Sequence, residues 1–376
     1  MRIILNIIIK EFLQLKRDPR LFGIIFVAPV MQLILLGYAA NLDVNTVPAA
    51  IFNQDHSATS RRFIEKFESS GYFEINYHVE SYEEVTNLIN KGKVVFVLVI
   101  PRDFEKHINR KESAPLQAIF DGSDGNRASI AAGYVQGIVS SYSKNIMLTN
   151  LDKSGMKIKP TGSLTPEVRV WYNPELKTRN FMVPSIMGLL LMVITIILMS
   201  MAVVKEREIG TLEQLIVTPI KSWQLIIGKL IPFVIIGFVD VILVTSVMVF
   251  WFGIGVRGSL IFLILASLTF ILSTLGLGLF ISTITKTQQQ AMMIAQFAVM
   301  MPMIYLSGFA FPIENMPVFI QYITYLIPLR YFITIIRDIV LKGTTFMELL
   351  PQYSVMLGMG ILILLASAMR FRKRLE

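Results

Sequence analysis

The sequence contains no cysteine, only three histidines, and few charges for its length: 16% of its 376 residues are Asp, Glu, Lys or Arg. Without cysteine there is no disulfide framework, no thiolate metal site and no cysteine nucleophile. The histidines, His56, His78 and His107, stand far apart, and neither an HExxH pairing nor a Cys/His cluster occurs, so no bound metal is expected. A phosphate-cradling loop is missing too. Gly228-Lys229 is followed by Leu230, and no glycine stands five residues upstream, whereas the Walker pattern needs both. No cofactor is therefore expected on this chain, and no catalytic cluster is visible.

What the chain has instead is apolar residues. They make up 54% of it, and the mean hydropathy is +0.61, which moves the prior from soluble to membrane proteins. The net charge is +9, but its placement matters more. Between Asn41 and Asn180 stand 17 basic and 16 acidic residues, so that part is nearly neutral. The remaining 18 basic and 10 acidic residues lie beside apolar runs, a pattern of membrane orientation rather than of a nucleic-acid-binding face.

A spanning helix needs ~20 mostly apolar residues. Six segments qualify: Leu21–Ala40, Phe181–Val204, Leu225–Phe252 (which holds Lys229 and Asp240), Ser259–Thr285, Gln290–Phe311 and Tyr353–Met369. Arg2, Lys10, Lys16, Arg17 and Arg20 precede the first; Arg370, Arg372, Lys373 and Arg374 follow the last. Basic flanks stay inside, so both termini and residues 205–222 are assigned to the cytoplasm, and residues 41–180 to the outside. The first apolar run is too long for a signal peptide's core, so cleavage is not expected. Ahead of it, Ile4, Ile7, Ile8, Phe12 and Leu15 recur at helical spacing, with Lys10, Gln14 and Arg17 opposite. This reads as a helix lying in the inner interface of the lipid bilayer.

The outer segment alternates β-rich runs (47–53, 72–79, 93–101, 115–121) with helical patterns, which predicts an α/β domain. VVFVLVI is continuous rather than alternating, the mark of a strand buried on both faces. DGSDGN at 121–126 supplies a turn and a cap for a long helix after it. Three parts result: 1–40, an interfacial helix and the first span; 41–180, an extracytoplasmic α/β domain; and 181–376, five further spans. Within the last part, residues 312–343 are apolar but broken by Pro312, Pro317 and Pro328, and they carry Arg330 and Arg337. Proline and charge forbid a continuous lipid-facing span, so this segment is expected to dip into the outer face and return, as a lid over a path.

Residues 205–222, KEREIGTLEQLIVTPIKS, interrupt two apolar runs with three glutamates. A helix there puts Ile209, Leu212, Leu215 and Ile216 on one face and Glu206, Thr211, Glu213 and Gln214 on the rest; Gly210 relaxes the backbone before it and Pro219 ends it. A plain cytoplasmic loop is expected to be mainly basic. The acidic exposed side therefore admits two readings, a solvated loop or a docking surface for another protein. Asp240 also admits two: a group lining a path for cations or protons, or a carboxylate hydrogen-bonded to Ser, Thr or Gln of a neighbouring helix. Lys229 is read as snorkelling to the inner surface.

KEREIGTLEQLIVTPI, with GLGLFISTITKTQQQA (276–291), LSGFAFPIENMP (306–317) and PLRYF (328–332), resembles the ABC-2 type permeases, membrane subunits of ABC exporters, and within them bacterial permeases of multidrug efflux. The likeness covers the whole chain. It implies a polytopic α-helical, type V exporter-like protein of six transmembrane helices, in the bacterial inner membrane. The implied partners are separate ATPase subunits carrying ATP and Mg, a second permease copy or paralogue that completes the path, and a periplasmic adaptor; no nucleic acid is implied. A coupling helix at 205–220 would bring Glu206, Glu208, Gly210, Thr211, Glu213, Leu215 and Pro219 to the ATPase. Asp240, Pro328, Arg330 and Arg337 are the candidates for the path or its gate. The alternative is a membrane-anchored receptor or assembly protein whose outer domain binds a ligand.

The topology is directly testable because the chain has no cysteine. A cysteine introduced at Ser123 should react with an impermeant thiol reagent in intact cells, and one at Gln214 should not. The opposite labelling pattern would overturn the orientation.

Overall fold

A computed structural model describes residues 2–39, 46–153, 171–173, 177–210 and 221–375. The chain forms two compact units, Leu42–Val168 and the combination of Met1–Asn41 with Arg169–Glu376.

The smaller unit is a four-stranded sheet of order β2-β1-β3-β4, with β1 Val47–Asn53, β2 Phe73–His78, β3 Phe96–Ile100 and β4 Gln117–Phe120. β1 pairs in parallel with both β2 and β3, and β4 closes one edge antiparallel. Side chains of a strand alternate between faces. Val47, Ala49 and Ile51 of β1 and Phe96, Leu98 and Ile100 of β3 therefore join Phe63 and Phe67 of α4 (Ala58–Glu68), Phe104 of α6 (Phe104–Asn109) and Ala131 and Val135 of α7 (Gly125–Lys153) in one core. Ala50, Phe52, Val97 and Val99 point the other way, onto Val85 of α5 (Tyr82–Asn90). The last five residues of the continuous apolar run thus become an inner strand, each of them buried.

Local caps start these helices. Ser57 accepts from the Ser60 amide at 3.0 Å, and Ser81 from the Glu84 amide at 3.2 Å. In the turn before α7, Asp121 accepts from the Ser123 amide at 2.9 Å, and these bonds from Ser123 hold its carboxyl below the ordinary range. Asp124 accepts from the Asn126 and Arg127 amides at 3.1 and 3.2 Å, opening the helix.

The larger unit is helical. It begins with α1 (Arg2–Arg17), α2 (Pro19–Phe22) and α3 (Ala28–Ala39), the latter two joined by a wide π turn at Gly23–Val27. Then come α8 (Thr178–Glu208), α9 (Ser222–Phe250), α10 (Leu260–Ile284), α11 (Gln288–Met293), α12 (Met301–Leu306), α13 (Val318–Thr324), α14 (Pro328–Arg337) and α15 (Phe346–Leu375). Among the described residues four helices, α8, α9, α10 and α15, are long and apolar enough to cross a membrane. The broken pair Val318–Thr324 and Pro328–Lys342, bent by 84°, counts as a fifth if it is one span. The other two apolar runs of the sequence are helices too, but each carries a π turn, at Gly23–Val27 and at Ile294–Met300.

α8 is the centre of this unit; residues 183–192 are buried without interruption, as befits a helix surrounded by others. Close approach depends on small residues. A Cβ on Gly278 of α10 would stand 2.8 Å from the Ile196 carbonyl oxygen of α8, and one on Gly360 of α15 would stand 2.5 Å from Ser273 Oγ of α10. Hydroxyls tie the same helices: Thr195 donates to Thr274 at 2.7 Å, and Ser367 donates to the Gly276 carbonyl at 2.9 Å.

The bend between α13 and α14 follows from Pro328, which keeps Ile327 extended (φ −105°, ψ 110°). Arg330 donates to the Thr324 hydroxyl across it and lies 4.0 Å from the Tyr325 ring. Arg337 donates to Ser185 Oγ at 2.6 Å and to the Gly308 carbonyl at 3.2 Å, and lies 3.5 Å from the Phe181 ring. Both guanidinium groups are thus held by protein, and they fasten the bent pair internally and to α8.

The helix crossing at Gly278 yields a stability prediction. Gly278→Ala forces a methyl against backbone, an overpacking that costs about 1–3 kcal/mol. At Gly133 of α7 nothing lies within 4 Å of the added atom. There alanine should instead stabilise, by about 0.5–1 kcal/mol, through the unfolded chain and helix propensity. Thermal unfolding of the detergent-solubilised chain should show a lower melting temperature for the first variant only; equal responses would refute the close contact.

Candidate functional site

The stretch KERE at the end of α8 engages three separate neighbours. Glu206 is 6% exposed and lies between two lysines: one carboxylate oxygen meets the Lys10 ammonium of α1, and the other is 3.1 Å from Lys229 Nζ of α9. Lys229, 1% exposed, also donates to Glu11 Oε1 at 2.8 Å and to the Ala202 carbonyl at 3.3 Å. Arg207 donates to the carbonyls of Ser282 and Thr285, at 3.2 and 2.7 Å, and so caps the C-terminal end of α10 with a positive charge. Glu208 is exposed and accepts from Gln288 Nε2 at 2.7 Å at the start of α11. Gly210 follows in the left-handed region, φ +80°, where the chain must leave the helix without a Cβ.

Two expectations are corrected here. Glu206 does not face solvent; it is the acceptor of a buried ionic group. Lys229 does not snorkel, because Glu11 and Glu206 satisfy its ammonium inside the protein. Lys10 lies off the apolar stripe of α1, partly exposed, and its ammonium reaches Glu206. The cause is the same in each case. An apolar interior charges several kcal/mol for a lone ion, and two carboxylates with two ammoniums cancel most of that.

The sequence carried a signal for this group. Glu11 falls among Ile4, Ile7, Ile8, Phe12 and Leu15, on the apolar stripe of α1. A carboxylate on such a stripe calls for a cation on the opposing helix, and Lys229 is that cation. The adjacent glycine lets α1 come close, for a Cβ on Gly228 would stand 2.8 Å from Ile7 Cγ2. Gly228-Lys229 therefore serves helix packing and charge pairing.

Of the remaining candidates, Thr211, Glu213, Leu215 and Pro219 lie outside the described residues. Glu208 and Gly210 stand where the chain enters that segment, and Ser222 opens the helix that leaves it. Pro328 starts α14 and is buried, while Arg330 and Arg337 make the contacts given above. Asp240 is 0% exposed on α9, and neither carboxylate oxygen finds a hydrogen-bond donor among the described residues. The structural reading of Asp240, a hydrogen bond to Ser, Thr or Gln of a neighbouring helix, is therefore not met there.

Long apolar helices around a central one, a broken pair pinned by arginines and a charged stem at one end define a polytopic helical membrane protein. Comparison with known proteins is specific. The chain belongs to the ABC-2 family transporter proteins, whose family pattern it matches over residues 19–369. It is 36% identical over 340 residues to the probable multidrug ABC transporter permease YbhR of Escherichia coli K12, covering 90% of each chain. It is 35% identical over 364 residues to the probable multidrug ABC transporter permease YbhS of the same strain, covering 96% of this chain and 93% of the relative. The linearmycin resistance permease protein LnrN of Bacillus subtilis is 20% identical over 95% of this chain. The protein is thus a multi-pass transporter permease.

Burial separates two glutamates that the sequence treats alike. Glu206→Lys places a third ammonium against Lys10 and Lys229, and breaking a buried pair in this way costs about 3–5 kcal/mol. Glu208→Lys loses one exposed contact to Gln288, worth about 0.5–1.5 kcal/mol. Melting temperature and membrane abundance should fall sharply for the first and little for the second. Equal behaviour would overturn the inward placement of Glu206.

Proposed function

We propose that the chain is the permease subunit of an ATP-driven exporter of the bacterial inner membrane, moving drug-like or amphiphilic molecules outward. The observation that supports this most is the identity of 35–36% along nearly the whole chain to permeases named for multidrug transport. On this reading both termini are cytoplasmic, six spans cross the membrane, and the α/β unit is extracytoplasmic. ATP and Mg belong to separate ATPase subunits, which dock on residues 205–220 through Glu208, Thr211, Glu213, Leu215 and Pro219. Glu206 acts from within as the anchor of the stem rather than as a contact. A second permease copy or a paralogue completes the path, and an adaptor on the outer side extends it.

ATP binding brings the docked subunits together and favours one packing of the two permease halves; hydrolysis resets it. Asp240 places a carboxyl group in a span whose one other charged side chain is Lys229, a position that suits a cationic group in transit. The bent pair α13–α14 serves as the outer lid, with Arg330 and Arg337 holding its form.

Purification of the tagged permease from native membranes tests the core of this reading. An ATP-hydrolysing subunit should accompany it, and membrane vesicles should accumulate dye in an ATP-dependent manner. Asp240→Asn should lower transport of cationic dyes and spare neutral ones. A permease that is isolated without any ATPase would overturn the proposal. Equal loss of cationic and neutral transport would remove Asp240 from the path.

A further inference from the structure

The α/β unit has a concavity on the side of its sheet covered by α4, α6 and α7. It lies between α6, the chain 111–116 that leads to β4, and the C-terminal half of α7. Its volume is about 460 Å³, within the range of sites that take small organic molecules. Phe63 of α4 and Phe104 of α6, 1% and 3% exposed, form its floor, with ring centroids 5.6 Å apart.

One wall is a single face of α7. Val139, Tyr142, Ile146 and Met147 recur there at helical spacing, with Ser143 among them. The Tyr142 ring lies 4.7 Å from that of Phe63 and carries the aromatic floor up the wall. Farther along, the stripe leaves the core, and Met147 is 65% exposed. Protein interiors are close-packed, and apolar walls around an open space forgo contacts that larger side chains would make. Stability alone would favour filling this one.

The mouth of the cavity is polar. Lys111 has φ +59°, a left-handed backbone that costs a non-glycine residue free energy. Its amide donates to the Ile108 carbonyl and the Glu112 amide to the His107 carbonyl, both at 3.0 Å, and these bonds hold the turn. The Glu112 carboxylate meets His107 Nδ1 at 3.0 Å, whereas no carboxylate among the described residues reaches the Lys111 ammonium. Burial pushes the Tyr142 hydroxyl above its ordinary value, so it stays neutral and adds no negative charge. An aromatic interior thus opens beside one ammonium whose donors are free, with the hydroxyl-bearing Ser113 and Ser143 nearby.

We propose that this cavity binds an amphiphile with an aromatic or alkyl body and an anionic head, the body on Phe63, Phe104 and Tyr142 and the head at Lys111. The body takes apolar wall out of water, and the head supplies the charge that Lys111 lacks. The site stands whether or not the chain works with an ATPase.

The chain has no cysteine, so Ser143→Cys puts a single thiol on the cavity wall and Ser123→Cys a single thiol away from it. Each full-length variant, held in lipid nanodiscs so that no detergent competes, is treated with a thiol reagent at rising concentrations of two probes. Anilinonaphthalene sulfonate has an aromatic body and an anionic head; phenylnaphthylamine has the same body without the sulfonate. The sulfonate should slow modification of Ser143→Cys in a saturable manner and leave Ser123→Cys unchanged. Lys111→Gln, at an exposed position, should raise the sulfonate concentration for half protection by about two- to fivefold, the worth of one exposed ion pair, and leave that of the neutral probe unchanged. Ala114→Phe, which fills the cavity from the loop, should abolish protection by both probes. Protection that is absent from Ser143→Cys, equal at the two thiols, or intact in Ala114→Phe would overturn the site. Half-protection values that respond alike to Lys111→Gln for both probes would overturn the anionic head. If Ala114→Phe fails to fold, the comparison of the two thiols and the Lys111→Gln response decide.

Discussion

A single ammonium organises the charged end of the helical unit. Lys229 sits inside the protein with Glu11 on one side and Glu206 on the other, and Lys10 completes a group of two positive and two negative charges. Burying Lys229, Glu11 or Glu206 alone would be prohibitive; burying the three together, with the partly exposed Lys10 at their edge, is tolerable because each ion replaces the water that another has lost. The requirement that all be present at once fixes three helices against each other. α1 has an apolar stripe that would pack on many greasy surfaces in many registers. The ionic group, with Gly228 under Ile7, selects one of them.

The same constraint governs the rest of the unit. Where the environment is apolar, most of the polar and irregular features described here are held by a partner from the protein itself. The π turns and the bent pair interrupt regular helices, and the bend is accompanied by arginines whose donors find Thr324, Ser185 and the Gly308 carbonyl. Arg207 closes the exposed carbonyls at the end of α10. Hydroxyl contacts such as Thr195 to Thr274 and glycines such as Gly278 bring the long helices to close contact where apolar side chains alone give no direction.

Periodicity made much of this legible. The four strands of the smaller unit lie within the β-rich runs, and VVFVLVI was identifiable as an inner strand because both of its faces are apolar. Four of the six apolar runs became the four long helices, among them the shortest, Tyr353–Met369, whereas Leu21–Ala40 and Gln290–Phe311 are interrupted by π turns. Charge was harder to read, because a charged residue in an apolar run has two cheap solutions, reaching water or meeting an opposite charge, and composition does not choose between them. Lys229 was assigned to the first and took the second. Glu206 shares its spacing with exposed residues, but helix α1, distant in sequence, covers it. The information lay in Glu11, out of place on an apolar stripe, and reading it required pairing two breaches of pattern that stand 218 positions apart.

Asp240 is the instructive contrast. Lys229 and Asp240 belong to the same helix, both are fully enclosed, and in sequence each is one charge in an apolar run. Around Lys229 the fold supplies two carboxylates and a carbonyl; around Asp240 the described residues supply no donor to either oxygen. A compensated ion explains itself through packing, since removing its partner would destabilise the fold. An uncompensated one gains nothing for stability, and an apolar residue of similar size would serve the fold better. Local rules are most often broken where a protein acts rather than where it merely holds together. By that physical criterion Lys229 belongs to the scaffold, held there by Glu11 and Glu206, while Asp240 is a buried carboxyl group that the packing of the described residues does not account for.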